Sequence, residues 1–385
     1  MIYEAPKLTE RDTQVLEEVQ SLRDDLQFYL GAPRRWYGTL SRVMMARAVQ
    51  ASTSIEGYHS TVDETAAIIE GEEPMDVDED TRMAVSGYRD AMTYVMRLTG
   101  PSRNEEPTMD ASLLKSLHFM MVGHDLSTNP GQWRSGAVWV RDSTGNPVYE
   151  APDRDDLETL INELIAQVND RADPALVAAA MAHLNLTLIH PFSDGNGRMA
   201  RCLQSFVLGS AFGALSPVFT SIEEYLGRNT ASYYAALTET AAGSWSPERS
   251  ARPWIEFCLT AYYRQAATVR RRIDLFEARW DRCEQIVARS RLPGRVIDAL
   301  MHSAQGWSLK RSLYMRIVRS ATGEEISDAM ATRDLAAMAA AGLLEPVGEK
   351  RGRHYRPSES LRALEQEIRA MQPARPEVHA YGPST

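Results

Sequence analysis

Twelve residues, His190-Pro-Phe-Ser-Asp-Gly-Asn-Gly-Arg198-Met-Ala-Arg201, bring together a candidate base, a metal ligand, a glycine-rich turn and two arginines. Gly195 and Gly197 flank Asn196, and because glycine takes positive φ without a Cβ penalty, such a turn brings backbone N–H groups close to an anion. The stretch from Arg198 to Phe206 reads as a helix start, so orphan amides and the positive end of the helix dipole would face the same ligand. Asp194 supplies a hard oxygen, and Mg2+ bound to substrate phosphates takes only one or two protein carboxylates. Arg198 and Arg201, three apart, share one helix face and offer bidentate donors to phosphate. His190 closes an apolar stretch, Leu184 to Ile189, that reads as a helix, which places it to accept a proton from an attacking hydroxyl. Taken singly, a His before Pro is a structural cap and Gly-Asn-Gly is a turn. In this order and this close together they describe a phosphate site with chemistry attached.

The run resembles, residue for residue, the signature of the Fic family, H-P-F-x-[D/E]-G-N-G-R-x-x-R. That resemblance implies a mostly helical fold that binds ATP with Mg2+ and transfers AMP to a Ser, Thr or Tyr hydroxyl of a target protein. By position it implies His190 as general base, Asp194 as metal ligand, Gly195, Asn196 and Gly197 as anion hole, Arg198 and Arg201 as phosphate ligands, and Phe192 as a buried anchor. The kinase-like Doc branch of the family replaces Gly-Asn-Gly-Arg with Ala-Asn-Lys-Arg. This chain keeps Gly197, which favours AMP transfer over phosphate transfer.

Upstream, Ser52-Thr-Ser-Ile-Glu56-Gly57 ends an amphipathic stretch that begins near Tyr37 and resembles the family's inhibitory motif, [S/T]-x-x-x-E-[G/N]. There the Glu reaches the second arginine of the signature, here Arg201, and takes the place that the γ-phosphate needs. Physically, a carboxylate stands in for a phosphate oxygen on a guanidinium fork. The simpler alternative is a helix end with Glu56 in water and Gly57 left-handed. The motif's position ahead of the signature implies inhibition in cis.

Gly131-Gln-Trp-Arg134-Ser135-Gly136-Ala137-Val138-Trp139-Val140, then Asp142 to Asn146 and Pro147-Val-Tyr149, reads as a β-hairpin in an otherwise helical chain. Its free edge is a template for an added strand. It resembles the family's flap, which holds a target peptide by main-chain pairing. Tyr233 and Tyr234 fall in a segment that resembles one placing a tyrosine near adenine. Successive residues on a helix diverge by roughly 100°, so at most one of the two would line a nucleotide while the other packs.

Composition fits a soluble cytoplasmic enzyme. The 385 residues suffice for two or three domains, and a net charge of −10 with pI near 5.4 argues against a chain that coats nucleic acid or anionic membrane. Cys202, Cys258 and Cys283 are odd in number and widely spaced, which fits a reducing compartment and gives no zinc or disulfide pattern. No apolar run reaches membrane-spanning length, and the N-terminus lacks the charged and apolar regions of a signal peptide.

Periodicity divides the chain into an N-terminal helical region with the inhibitory helix (1–110), a catalytic core (111–268), a helical linker (269–290), a module at 291–371 and a disordered Pro-rich tail (372–385). The expected architecture is mostly α, a Fic-type helical bundle with a hairpin flap. The module at 291–371 reads as three helices and a hairpin and resembles a winged helix-turn-helix, with Ser327 to Ala340 as the recognition-like helix and Lys350 to Arg356 as the wing. The wing could contact DNA phosphates, whereas the helix offers only Thr332 and Arg333 as base readers. A DNA-binding regulator that uses the Fic site as a nucleotide sensor is therefore the second function class. Removal of AMP by the same site, a different nucleotide, and monomer or homodimer all stay open, and no motif encodes the target protein.

Overall fold

The computed structural model describes residues 1–31, 35–74, 76–100, 106–141, 144–170, 172–212, 221–349, 352–371 and 380–381. Asp142 and Ser143 of the expected hairpin turn, Lys350 and Arg351 of the expected wing, and tail positions 372–379 and 382–385 lie outside the described residues.

The architecture is mostly α-helical. Helices Glu10–Gly31 (α1), Tyr37–Ile55 (α2), Val62–Ile69 (α3), Glu79–Thr99 (α4) and Ala111–Val122 (α5) lead into strands Trp139–Arg141 (β1) and Pro147–Glu150 (β2). Helices Leu157–Asp170 (α6), Ala175–Ile189 (α7) and Asn196–Phe212 (α8) follow. Then come Glu223–Arg228 (α9), Thr230–Ala241 (α10) and Arg252–Arg289 (α11). Caps fix several starts: Asp110 accepts from the Leu113 amide at 2.6 Å, Asp78 accepts from Thr81, and Thr61 and Glu64 form a reciprocal capping box before α3.

α7 and α8 pack against each other at the centre. From Leu176 to Ile189 nearly every α7 side chain is buried, and α8 is buried from Arg198 to Ser210. A helix buried all round belongs in the middle of a bundle, and α4, α6 and α11 supply that surround. The loop between α7 and α8 carries the signature, so two buried helices hold its two ends.

The hairpin is shorter than its sequence suggests. β1 and β2 pair antiparallel, Trp139 with Glu150 and Val140 with Tyr149, but Arg134 to Val138 form no strand. The reason is Arg134, whose buried guanidinium anchors this segment beneath the sheet instead of extending it. β2 is tied down by the Tyr149 hydroxyl, which donates to the Leu188 carbonyl, and by the Glu150 amide, which donates to Gly243. Among the described residues β1 pairs only with β2.

The C-terminal part contains Ile297–Ala304 (α12), Arg311–Thr322 (α13), Asp328–Ala340 (α14), the antiparallel strands Leu344–Val347 (β3) and His354–Pro357 (β4), and Glu359–Ala370 (α15). This part packs against α2 and α3. Thr39 donates to the buried Asp298 at 2.6 Å, the Ser308 amide donates to Asp63, and Glu72 takes both Ser312 and Arg316. In the tail, Ala380 is buried and the Tyr381 hydroxyl donates to Asp12 on α1.

Candidate active site

His190 ends α7 in the left-handed conformation, φ 51°, which turns the chain into the signature loop. Its Nδ1 lies 3.2 Å from the Thr187 carbonyl, so that nitrogen carries the proton and Nε2 keeps its lone pair. Burial, with Arg134 nearby, pushes the His190 pKa below the usual histidine value. The neutral imidazole can therefore accept a proton at neutral pH.

The loop is braced from three sides. The Asn196 side chain accepts from the Phe192 amide and donates to the Phe192 carbonyl, both at 2.9 Å, which closes the turn. Asn196, grouped by sequence with the nucleotide ligands, thus spends its side chain on the loop itself. Arg134 Nε donates to the His190 carbonyl at 3.0 Å, and its amide donates to Pro191. Arg134 is buried below the hairpin, while Ser135, Gly136 and Ala137 are exposed, Val138 is half-buried and Trp139 stands out beside the half-buried Val140.

The third brace is His118 on α5. Its ring stacks on Phe192 at 3.8 Å, Nδ1 accepts from the Gly131 amide at 2.9 Å, and Nε2 donates to the Asp194 carbonyl at 3.0 Å. Burial lowers its pKa to about 4, so it stays neutral. Sequence reading passed over His118 because one histidine on an amphipathic helix looks like any core residue.

Gly195, with φ 75°, caps α8, and its carbonyl accepts from the Met199 amide. The first-turn amides of Asn196, Gly197 and Arg198 are those that a helix leaves without an intrahelical acceptor. Both arginines of that helix are buried. Arg198 Nη2 donates to Asp194 at 3.0 Å, while Arg198 Nε and Nη1 and Arg201 Nη1 have no hydrogen-bond partner among the described residues. Buried guanidinium donors are costly to leave unpaired. Phosphate oxygens at the start of α8 would supply the missing acceptors.

Glu56 reaches this place from the end of α2. Its Oε1 accepts from Arg201 Nη2 at 2.7 Å, and Ser52 accepts from Arg201 twice, through Oγ at 2.7 Å and its carbonyl at 3.0 Å. Burial acts to lower the Arg201 pKa, but the Glu56 carboxylate together with Tyr233 and Tyr88 offsets it, and the guanidinium is held above its ordinary value. Oε1 also fills the space that a Cβ on Gly197 would need. Gly57 follows in the left-handed conformation, φ 88°, and ends the helix.

A cleft runs from these groups to the hairpin, lined by Glu56, His190, Gly197, Val140, Tyr233 and Tyr234 among others. Tyr233 is buried and its hydroxyl sits 3.0 Å from His183 Nε2, whose Nδ1 faces Gln204. Tyr234 stays 46% exposed, with its hydroxyl 3.5 Å from the Ile55 carbonyl. Tyr233 is therefore the packed member of the pair, and Tyr234 presents an open ring to the cleft.

Residues 108–208 match the Fic/DOC family model. The chain carries a Fic domain. Its surroundings are similar to those of protein adenylyltransferase Fic of Nematostella vectensis, 28% identical over 267 residues, 66% of this chain and 55% of that one. Protein adenylyltransferase Fic of Aedes aegypti is 32% identical over 163 residues, 41% of this chain and 30% of that one. The chain thus spans about half the length, or less, of the curated relatives it matches. Among solved structures, a Fic family protein from Desulfovibrio desulfuricans G20 has the same fold over 93% of this chain and 99% of its own, with a TM-score of 0.57 and 21% identity. Fic-1 (residues 134–508) from C. elegans gives a TM-score of 0.52 at 20% identity, over 67% of this chain and 71% of its own. The fold around the Fic domain is thus shared with these structures, and no helix among the described residues is long and apolar enough to cross a membrane.

Proposed function

We propose that this chain is a protein adenylyltransferase that moves AMP from ATP to a hydroxyl of a target protein and is held inactive by Glu56. One observation carries the reading: buried guanidinium donors of Arg198 and Arg201 stand without acceptors at the start of α8, next to a neutral His190 with Nε2 free. The names of the Nematostella and Aedes relatives support the same activity.

The steps follow from the side chains. The acceptor hydroxyl approaches along the exposed edge of β1, where main-chain pairing registers an extended peptide without a deep side-chain pocket. His190 Nε2 takes the hydroxyl proton as the oxygen bonds to the α-phosphorus, and the bond from that phosphorus to the bridging oxygen breaks, releasing pyrophosphate. The α8 amides, Arg198 and Arg201 hold the phosphate oxygens as charge shifts toward the leaving group. Asp194 suits Mg2+: its carboxylate is half exposed and, among the described residues, only Oδ2 is engaged, by Arg198. When bound, the ion would neutralise phosphate charge there. Tyr234 offers the adenine a ring face.

Glu56 blocks this arrangement in the resting protein, because its carboxylate occupies both Arg201 and the space over Gly197. The C-terminal helices serve to back α2 rather than to read DNA. The exposed face of α14 carries Asp328, Ala329, Thr332, Arg333 and Ala336, and Asp328 is paired with Arg311. Thr332 and Arg333 give that face little with which to read bases.

Incubating the Glu56→Gly protein with ATP labelled at the α or at the γ position tests the reading. Covalent label is expected from the α position alone. Label from the γ position would make it a phosphotransferase, and label from neither would overturn the assignment.

A further inference from the structure

The segment that carries Glu56 also touches the other signature arginine. After Gly57 turns the chain back, the Gly57 amide donates to Ser54 and the Tyr58 amide to Thr53, each at 3.1 Å. These two bonds fix the Tyr58 backbone on the last turn of α2. Its ring then lies with the Arg198 guanidinium carbon 5.2 Å from the ring centre. Tyr58 is only partly buried, and its ring walls a polar cavity shared with Asp194, Arg198, Asp80, His124 and Asp125. A side chain placed for packing alone would be in the core, whereas this one covers a phosphate-facing cation at the rim of the site.

Arg198 makes this contact matter. Nη2 is taken by Asp194, and Nε and Nη1 have no acceptor among the described residues. The face of the Tyr58 ring therefore adds to the Asp194 pair in stabilising the charge and holding the plane of the guanidinium.

We propose that Tyr58 is a positioning residue for Arg198, so that one turn, Glu56-Gly57-Tyr58, governs both arginines: Glu56 withholds Arg201 and Tyr58 orients Arg198 toward the phosphates. This rests on the adenylyltransferase reading. Loss of Glu56 frees Arg201 and leaves Tyr58 in place, and the activated enzyme uses the arginine that Tyr58 has aligned.

The test uses the full-length Glu56→Gly protein as parent, with Tyr58→Leu or Tyr58→Phe added. Two quantities are read: affinity for ADP with Mg2+ by titration calorimetry, and KM and kcat for ATP from transfer of α-label. Tyr58→Leu is expected to weaken ADP binding and raise KM by about three- to tenfold with kcat within about twofold, whereas Tyr58→Phe, which keeps the ring, matches the parent. Unchanged affinity in Tyr58→Leu, or a Phe variant as weak as Leu, overturns the inference. If the parent binds ADP but transfers no label, the functional reading fails while the calorimetry still decides the Tyr58 role. If the parent binds no ADP, both fall.

Discussion

The Glu56 carboxylate occupies the space beside the α-carbon of Gly197: a Cβ at position 197 would collide with Oε1, the same oxygen that accepts from Arg201. The inhibitory contact is thus a three-way fit of carboxylate, guanidinium and glycine, and each partner can be tested.

Gly197→Ala puts a methyl group where the carboxylate now sits. The colliding atom is the end of a flexible side chain, so Glu56 is expected to swing away and the fold to survive, with a thermal midpoint within a few degrees of the parent. The same methyl group stands where a phosphate would lie, so transfer is expected to be absent with or without Glu56. Activity in Gly197→Ala would show that phosphate does not use this space.

Removing Glu56 should strengthen ATP binding. A hydrogen bond between charged groups contributes about 1.5–3 kcal/mol, which corresponds to roughly ten- to a hundredfold in affinity. Calorimetry of Glu56→Gly against wild type checks this, and equal affinities would mean that the pair does not compete with phosphate.

The contact between α2 and the C-terminal helices rests partly on Thr39 and Asp298. Asp298 is buried, and burial raises its pKa against the opposing Thr39 hydrogen bond. Thr39→Val leaves that carboxylate without its hydroxyl partner and is expected to cost about 1–3 kcal/mol in chemical unfolding, while Thr39→Ser stays close to wild type. A Val variant as stable as Ser would remove this contact from the account of how α2 is held.

Acid should loosen the fold before it touches most carboxylates. His118 and His302 are lowered to about 4 and His183 to about 3, in each case chiefly by burial. All three are neutral when folded, whereas the unfolded chain binds protons below about 6.5. Their contribution is complete above about pH 6.5 and is lost as pH falls through about 4, at up to roughly 1.4 kcal/mol per unit for each. Asp63, raised to about 6 by burial, acts in the opposite sense and offsets part of the loss. Thermal midpoints measured from pH 7.5 to 4.5 should fall steadily, and a flat profile would contradict neutral burial of these rings.

Much of the site was legible because its chemistry is local. The signature run, the Glu56 motif and the helix before it follow from spacing and periodicity: the amphipathic stretch that begins near Tyr37 is a helix over Tyr37–Ile55, with Glu56 as its cap. What stayed hidden depends on long-range contact. His118 reaches Asp194 across 76 positions, and His183 meets Tyr233 across 50, with no pattern that pairs them. Arg134 read as part of a strand, yet burial under the hairpin stops the strand short of it. In the tail after Met371, Ala380 and Tyr381 dock on α1 through Arg11 and Asp12, contacts that composition does not encode.

The central claim is that His190 and the α8 arginines transfer AMP once Glu56 is removed. The direct measurement is transfer of label from α-labelled ATP with Mg2+ to the protein itself, compared in wild type, Glu56→Gly and Glu56→Gly with His190→Ala. Strong labelling in the single variant alone is the outcome expected. Equal labelling in wild type would contradict inhibition by Glu56, equal labelling in the double variant would contradict His190 as the base, and silence in all three would contradict the transfer itself.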